Sequence, residues 1–365
     1  MTIADSLFPA VDSAAPALPR KGAGGAIRAW LWCVAALVFL MVVVGGAVRL
    51  TESGLSITEW QPISGILPPL SPQAWQVEFD HYKRIPQYAQ LFPDMDLAHF
   101  KAIFYWEWAH RLLGRVIGLV MAVPLVWFWL SGRLTARLKW QLTGVLALGG
   151  LQGFVGWWMV SSGLANRVEV APQRLATHLV LAALTLIALV AIATRLEPGR
   201  VAAAPARLRH GASLLVVLVL GQLALGALVA GARAGYAYNT WPLMDGSFVP
   251  PLGQLLVLSP AWRNFVENAT TLQFDHRMMA YCLFVLAIVH AFDAMRSLPG
   301  SAAGRRALVL AGLVLCTAGL GIATLLLVVP LGLALTHQAF ALGVLAFATR
   351  HHMCLAARPS GSVAG

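Results

Sequence analysis

Eight stretches of this chain are long and apolar enough to cross a bilayer, at about 29–48, 103–130, 140–160, 173–194, 211–231, 271–295, 307–329 and 331–350. That feature leaves few folds open. In hydrocarbon every backbone N–H and C=O must find an internal partner, so a span of this length is a helix. Charged residues make up 11% of the chain, against about 25% in soluble domains. The sequence therefore describes an all-α integral membrane protein with eight transmembrane helices. The net charge of +11 reports basic loops rather than nucleic-acid binding. Fifteen Arg and Lys fall on one side of the spans and eight on the other, which puts both termini in the cytoplasm and the loops 50–102 and 232–270 outside. There is no small-residue cleavage site before the first span, and Asp5 and Asp12 argue against a mitochondrial presequence. Cys33, Cys282 and Cys316 lie in apolar runs and Cys354 follows "RHH". They read as buried, inert thiols, and no C-x-x-C-H is present to attach a haem covalently.

An internal repeat organises the chain. "GGAVRLTESGLSITEWQPISGILPP" matches "GALVAGARAGYAYNTWPLMDGSFVPP", with Gly45/Gly226, Gly54/Gly235, Trp60/Trp241, Gly65/Gly246 and Pro69/Pro250 all paired at one offset of 181. "AHRLLGR" pairs with "DHRMMAY" at 166 and "LATHL" with "LALTHQ" at 159, the offset falling because the first half has longer loops. Each half holds four helices, an even number, so the repeat is parallel rather than inverted. The expected organisation is two four-helix bundles, 29–200 and 201–350, with cytoplasmic tails at 1–28 and 351–365.

Four histidines occupy repeat-matched positions: His110, His178, His276 and His337. They lie near the outer ends of helices two, four, six and eight, all of which run from outside to inside. Five to seven residues of helix put each of them about 10 Å below the outer face. Two imidazoles at one depth on two helices of a bundle are what a bis-histidine haem requires. The pairs are His110 with His178 and His276 with His337. Zinc fits less well, because no Cys or carboxylate cluster completes a site. Arg111 and Arg277 directly follow two of these histidines at the outer rim. Two readings stand for them: contact with anionic haem propionates, or snorkelling to the interface.

The halves differ at one informative place. Glu107 stands three residues before His110, on the same helical face, whereas Gln273 stands before His276. Glu107 reads either as an acid/base or charge-stabilising group at one haem, or as a structural hydrogen-bond partner of Arg111 or a neighbouring helix. "RHHMC" at 350–354 reads as a solvated cytoplasmic helix end. "AWQVEFDHYKRIPQYAQLF" reads as a surface helix at the outer interface.

These motifs together, "GGAVRLTESGLSITEW", "WEWAHRLLGR", "QGFVGWWMVSSGL", "PQRLATHL", "NTWPLMDG", "NFVENATTLQFDHR" and "LTHQ", resemble the haem A synthase family over about residues 28–350. The first outer loop lacks the cysteine pair of the Bacillus-like branch, so the resemblance is to the branch shared by alphaproteobacteria and mitochondria. The resemblance implies oxidation of the C8 methyl of haem O to the formyl of haem A. It implies haem b as cofactor on His276 and His337, substrate haem on His110 and His178, and a catalytic role for Glu107. It further implies a bacterial inner-membrane location, supply of substrate by haem O synthase and a ferredoxin-like electron donor. Lipid contact and a homo-oligomer are further expectations. The alternative is a dihaem b-type transmembrane electron-transfer protein, which predicts stable haem B in both halves. A transporter with a parallel repeat predicts polar residues at mid-membrane, whereas here they crowd the outer third.

Overall fold

The computed structural model describes residues 23–197 and 204–356. Of the expected tails, 1–28 and 351–365, residues 23–28 and 351–355 are helical instead, while the rest up to 22 and from 357, and the boundary drawn at 200/201, lie outside the described residues. Among the described residues, eight helices are long and apolar enough to cross a membrane. They are α1 Ala23–Leu50, α2 Leu97–Leu130, α3 Ala136–Ser161, α4 Pro172–Arg195, α5 Ala206–Gly231, α6 Ala269–Ser297, α7 Ala302–Leu326 and α8 Leu331–Leu355. Their starts are encoded locally. Asp96, Thr135, Asn268 and Ser301 cap α2, α3, α6 and α7, each side chain accepting a bond from a first-turn N–H. Pro172 opens α4, a position where its missing N–H costs nothing.

Five helices begin four to six residues before the expected span, at Ala23, Leu97, Ala136, Ala206 and Ala302 against 29, 103, 140, 211 and 307, and two ends show why such positions shift. α2 begins at Leu97, six residues early, and runs for 34 residues, about 51 Å at 1.5 Å per residue. That is longer than a hydrocarbon core of about 30 Å, so its outer turns stand clear of the core. There Phe100 and Phe104 pack on Trp75, Phe79 and Tyr82 of the surface helix Pro72–Tyr82. α7 stops at Leu326. Val328 and Val329 take left-handed φ angles of 59° and 58°, which turn the chain sharply into α8.

Within each half the helices pack in ring order, α1–α2–α3–α4 and α5–α6–α7–α8, and each ring closes on itself. The rings meet through α1, α4, α5 and α8. Two contacts place the pseudo-two-fold axis. The Arg49 guanidinium donates to the Ala230 carbonyl, and Arg233 pairs with Glu52. Both pairs are 181 residues apart, the repeat offset itself, so equivalent positions touch. Glu169 pairs with both arginines. Burial, reinforced by neighbouring Glu169, pushes the Glu52 carboxyl above its ordinary value.

Two expectations are corrected here. The 350–354 segment is not a solvated end. His351 and His352 are buried, His351 Nε2 lies 2.9 Å from His290 Nε2, and His352 Nδ1 lies 3.1 Å from Ser213 Oγ. Helix α8 continues to Leu355, and α5 and α6 enclose its inner end. Cys33, Cys282 and Cys316 are exposed rather than buried, because they sit on the outward-facing sides of their helices.

Candidate functional site

Each of the four repeat-matched histidines lies against a glycine of the preceding helix. A Cβ at Gly45 would stand 3.0 Å from His110 Nε2, and one at Gly156 3.0 Å from His178 Cε1. At Gly226 and Gly321 it would stand 3.2 and 2.8 Å from His276 Cε1 and His337 Cε1. The pattern is the same four times: an imidazole from an even helix laid on bare backbone of an odd one. The paired histidines sit on helices that face each other across the ring, α2 with α4 and α6 with α8, and His178 and His337 lie within electrostatic range of His110 and His276.

The donor set fits a bis-histidine haem. His337 Nδ1 lies 3.0 Å from the Thr317 carbonyl, an acceptor only, so Nδ1 carries the proton and Nε2 presents its lone pair. Gln152 and Gln222 sit four residues before Gly156 and Gly226. Their amides donate to the carbonyls of His178 and His276 at 3.0 and 3.1 Å and rest beside the same imidazoles. Their Oε1 atoms are buried without a partner. All four ligand candidates are only half-buried, whereas the inner pair His290 and His351 is closed at 6% and 0% exposure. The outer level therefore keeps room beside its imidazoles, and the inner level does not.

Above these sites the outer loops are tied down by the two arginines. Arg111 donates to Ile57 O at 2.8 Å and Glu59 O at 3.1 Å, and forks onto Glu107 Oε1 at 2.6 and 3.1 Å. Arg277 donates to Tyr238 O at 3.1 Å and Leu243 O at 3.3 Å. Ile57 and Tyr238 are 181 apart, so the anchoring is itself repeated. Glu107 is 3% exposed and fully engaged, its Oε2 accepting from Ser56 Oγ and Ile57 N, both at 2.8 Å. Gln273 instead donates to Ala234 O and Tyr238 O and accepts from Arg277. Ala237 stands where the first half has Ser56. The first half thus buries a neutralised ion pair over its site. In the second half the Arg277 charge has no carboxylate within salt-bridge range among the described residues, and its Nε is buried without a partner. An unneutralised guanidinium at the rim is the better receiver for a propionate.

Sequence reasoning singled out the histidines, both arginines and Glu107, and passed over the two glutamines, Ser56 and Gln338, which the structure sets beside them. The glutamines carry a readable signal, the Q-x-x-x-G spacing that precedes both glycines. Gln338, next to His337, crosses to α1 and donates to Val42 O at 2.6 Å; Leu179 holds the matching place after His178.

The fold and its sites define a class: a membrane protein built as a duplicated four-helix bundle, with one facing histidine pair in each copy. The chain belongs to the COX15-CtaA family of cytochrome oxidase assembly proteins, whose model matches residues 28–349. It is 58% identical over 333 residues to the heme A synthase of Beijerinckia indica, covering 90% of this chain and 93% of that one. Against the heme A synthase of Mesorhizobium japonicum it is 54% identical over 325 residues, 89% of each. Against that of Allorhizobium ampelinum it is 51% identical over 353 residues, 96% of each.

Proposed function

We propose that this chain is a haem A synthase in which the two halves divide the work. The N-terminal half, 29–200, binds haem O between His110 and His178 and oxidises its C8 methyl. The C-terminal half, 201–350, holds haem b between His276 and His337. The observation that carries the division is the exchange of Glu107 and Ser56 for Gln273 and Ala237 over otherwise repeated sites.

Porphyrin chemistry agrees with the position of Glu107. The C8 methyl shares its pyrrole ring with a propionate. A haem whose propionates point to the polar outer edge therefore brings that methyl outward, to the level of the Glu107–Arg111 pair. Each of two successive hydroxylations consumes one dioxygen, two electrons and two protons and releases one water, and the resulting gem-diol loses water to leave the formyl. Glu107, held by four hydrogen bonds, is a fixed negative charge beside the reacting edge. Its engagement favours stabilising a developing positive charge, and proton transfer requires one of those bonds to open. Above it the outer loop roofs a cavity of about 180 Å3 lined by Ile57, Gln61, Phe104, Trp108, Arg111 and Arg115. When bound, haem b supplies one-electron chemistry, and Arg277 is the residue placed to hold a propionate of it. A ferredoxin-like protein is the electron source in this reading, and haem O synthase the substrate source. The location is the bacterial inner membrane with both termini cytoplasmic, supported by the excess of Arg and Lys on that side.

The test is pigment identity. The protein is expressed with haem O synthase, purified, and its extracted haems are separated with mass detection. Haem A beside haem B is expected, with haem A lost in His178→Ala and haem B retained. Haem B alone in both halves, with haem O supplied, identifies the dihaem electron-transfer alternative.

A further inference from the structure

Gln338 joins the site of one half to the site of the other. It follows the ligand candidate His337 on α8 and reaches out of its own bundle to α1, where its amide donates to the Val42 carbonyl at 2.6 Å. It seats there on bare backbone. A Cβ added at Gly46 would stand 2.9 Å from both Cδ and Nε2 of Gln338, and closer still to its Oε1. The residue before Gly46 is Gly45, whose own Cβ position lies 3.0 Å from His110 Nε2. Successive residues of a helix point about 100° apart. One Gly-Gly step of α1 therefore meets His110 on one side and Gln338 on the next.

The fold itself does not require this tie. At the repeat offsets Gly46 corresponds to Ala227 and Gln338 to Leu179. At that second junction α4 packs on α5, Ala227 is buried, and Leu179 packs against the apolar core. The equivalent positions are apolar at one junction and polar at the other. The tie exists once, and it runs from the ligand turn of the second site to the cradle of the first.

Two features make that link consequential. Each glycine in a helix interior costs about 1 kcal/mol relative to alanine, so the 45–46 step is a soft place in α1, and the His110 cradle takes its position from what packs on it. The outer end of α8 is lightly held. No side chain caps it, and it follows the left-handed turn at Val328 and Val329. Ligation of His337, added to its Nδ1–Thr317 bond, fixes that turn of α8, and Gln338 passes the constraint to α1.

We infer that Gln338 is a positioning residue through which the haem of the C-terminal half sets the cradle of the substrate site, so that haem O binds more tightly when that haem is present, an inference that rests on the two-haem reading above. Linkage makes the effect reciprocal: haem O in the first half strengthens retention of the haem in the second by the same factor. A chain that has not yet taken up its C-terminal haem is then the poorer acceptor of substrate.

The test titrates haem O into the purified full-length protein in lipid nanodiscs, with the C-terminal site either loaded with haem b or emptied by His276→Ala, a ligand that is not on α8. The otherwise wild-type protein is expected to bind haem O about fivefold or more tightly with the C-terminal haem present. In Gln338→Leu the affinity is expected to be the same with and without that haem, at full haem b content in the loaded form. Gly46→Ala combined with Gln338→Leu copies the Ala227 and Leu179 that the other junction already carries, so it serves where the single variant folds poorly, and the same loss of dependence is expected. A wild-type affinity that ignores the C-terminal haem, or a dependence that survives in either variant, overturns the inference. Absence of any His178-dependent binding of haem O to the wild-type protein overturns the haem O reading instead.

Discussion

Converting the first site into a copy of the second, with Glu107→Gln and Ser56→Ala together, is expected to leave a folded protein that binds haem in both halves and makes no haem A. The second half already demonstrates that a Gln/Ala pair is compatible with an arginine one turn on: Gln273 bonds Ala234 O, Tyr238 O and Arg277. Glu107→Ala is the poorer probe. It strands the Arg111 cation, the Ser56 hydroxyl and the Ile57 N–H together, and removing one partner of a buried ion pair costs about 3 kcal/mol or more. With the double variant, loss of product separates chemistry from folding. A fall of about 100-fold or more in haem A formed per protein is expected, at unchanged haem b content. Retained activity reduces the carboxylate to a tie between α2 and the 56–57 loop.

Gly321→Val is expected to remove the haem of the C-terminal half. The new Cβ alone would stand 2.8 Å from His337 Cε1 and 3.3 Å from its Nδ1. The imidazole then has to swing, losing the Nδ1–Thr317 bond that aims Nε2. Gly319→Val, two residues away on a face with nothing within 4 Å of its Cβ position, serves as the control and is expected to keep its haem. Haem per protein and the low-spin bis-histidine spectrum are the measurements. A full haem complement in Gly321→Val shows that the glycine is not a cradle for the ligand.

The topology was legible because lipid leaves the chain so little choice. Eight apolar runs fix eight helices, and the 181-residue repeat fixes their parity. The four matched histidines were legible because the duplication prints each of them twice. What the sequence concealed is whatever depends on distance across helices. Nothing local to Glu107 reveals that Ser56 and Ile57, some fifty residues away, close on its second oxygen. The burial of His351 depends on α5 and α6 enclosing the end of α8, a packing that a basic, histidine-rich terminus disguises. α2 began early because Asp96 caps it and the aromatic surface helix supports its outer turns, neither of which is a hydropathy signal.

The contact between Glu52 and Arg233 carries a historical consequence. A residue that touches its own equivalent beside a two-fold axis faces an identical side chain in any homodimer. Two separate copies of such a bundle would set carboxylate against carboxylate or guanidinium against guanidinium at that point. Opposite charges can occupy the two places only when the two bundles differ in sequence, as they do within this one polypeptide. The salt bridge therefore marks a position where the two halves are fitted to each other as unlike partners.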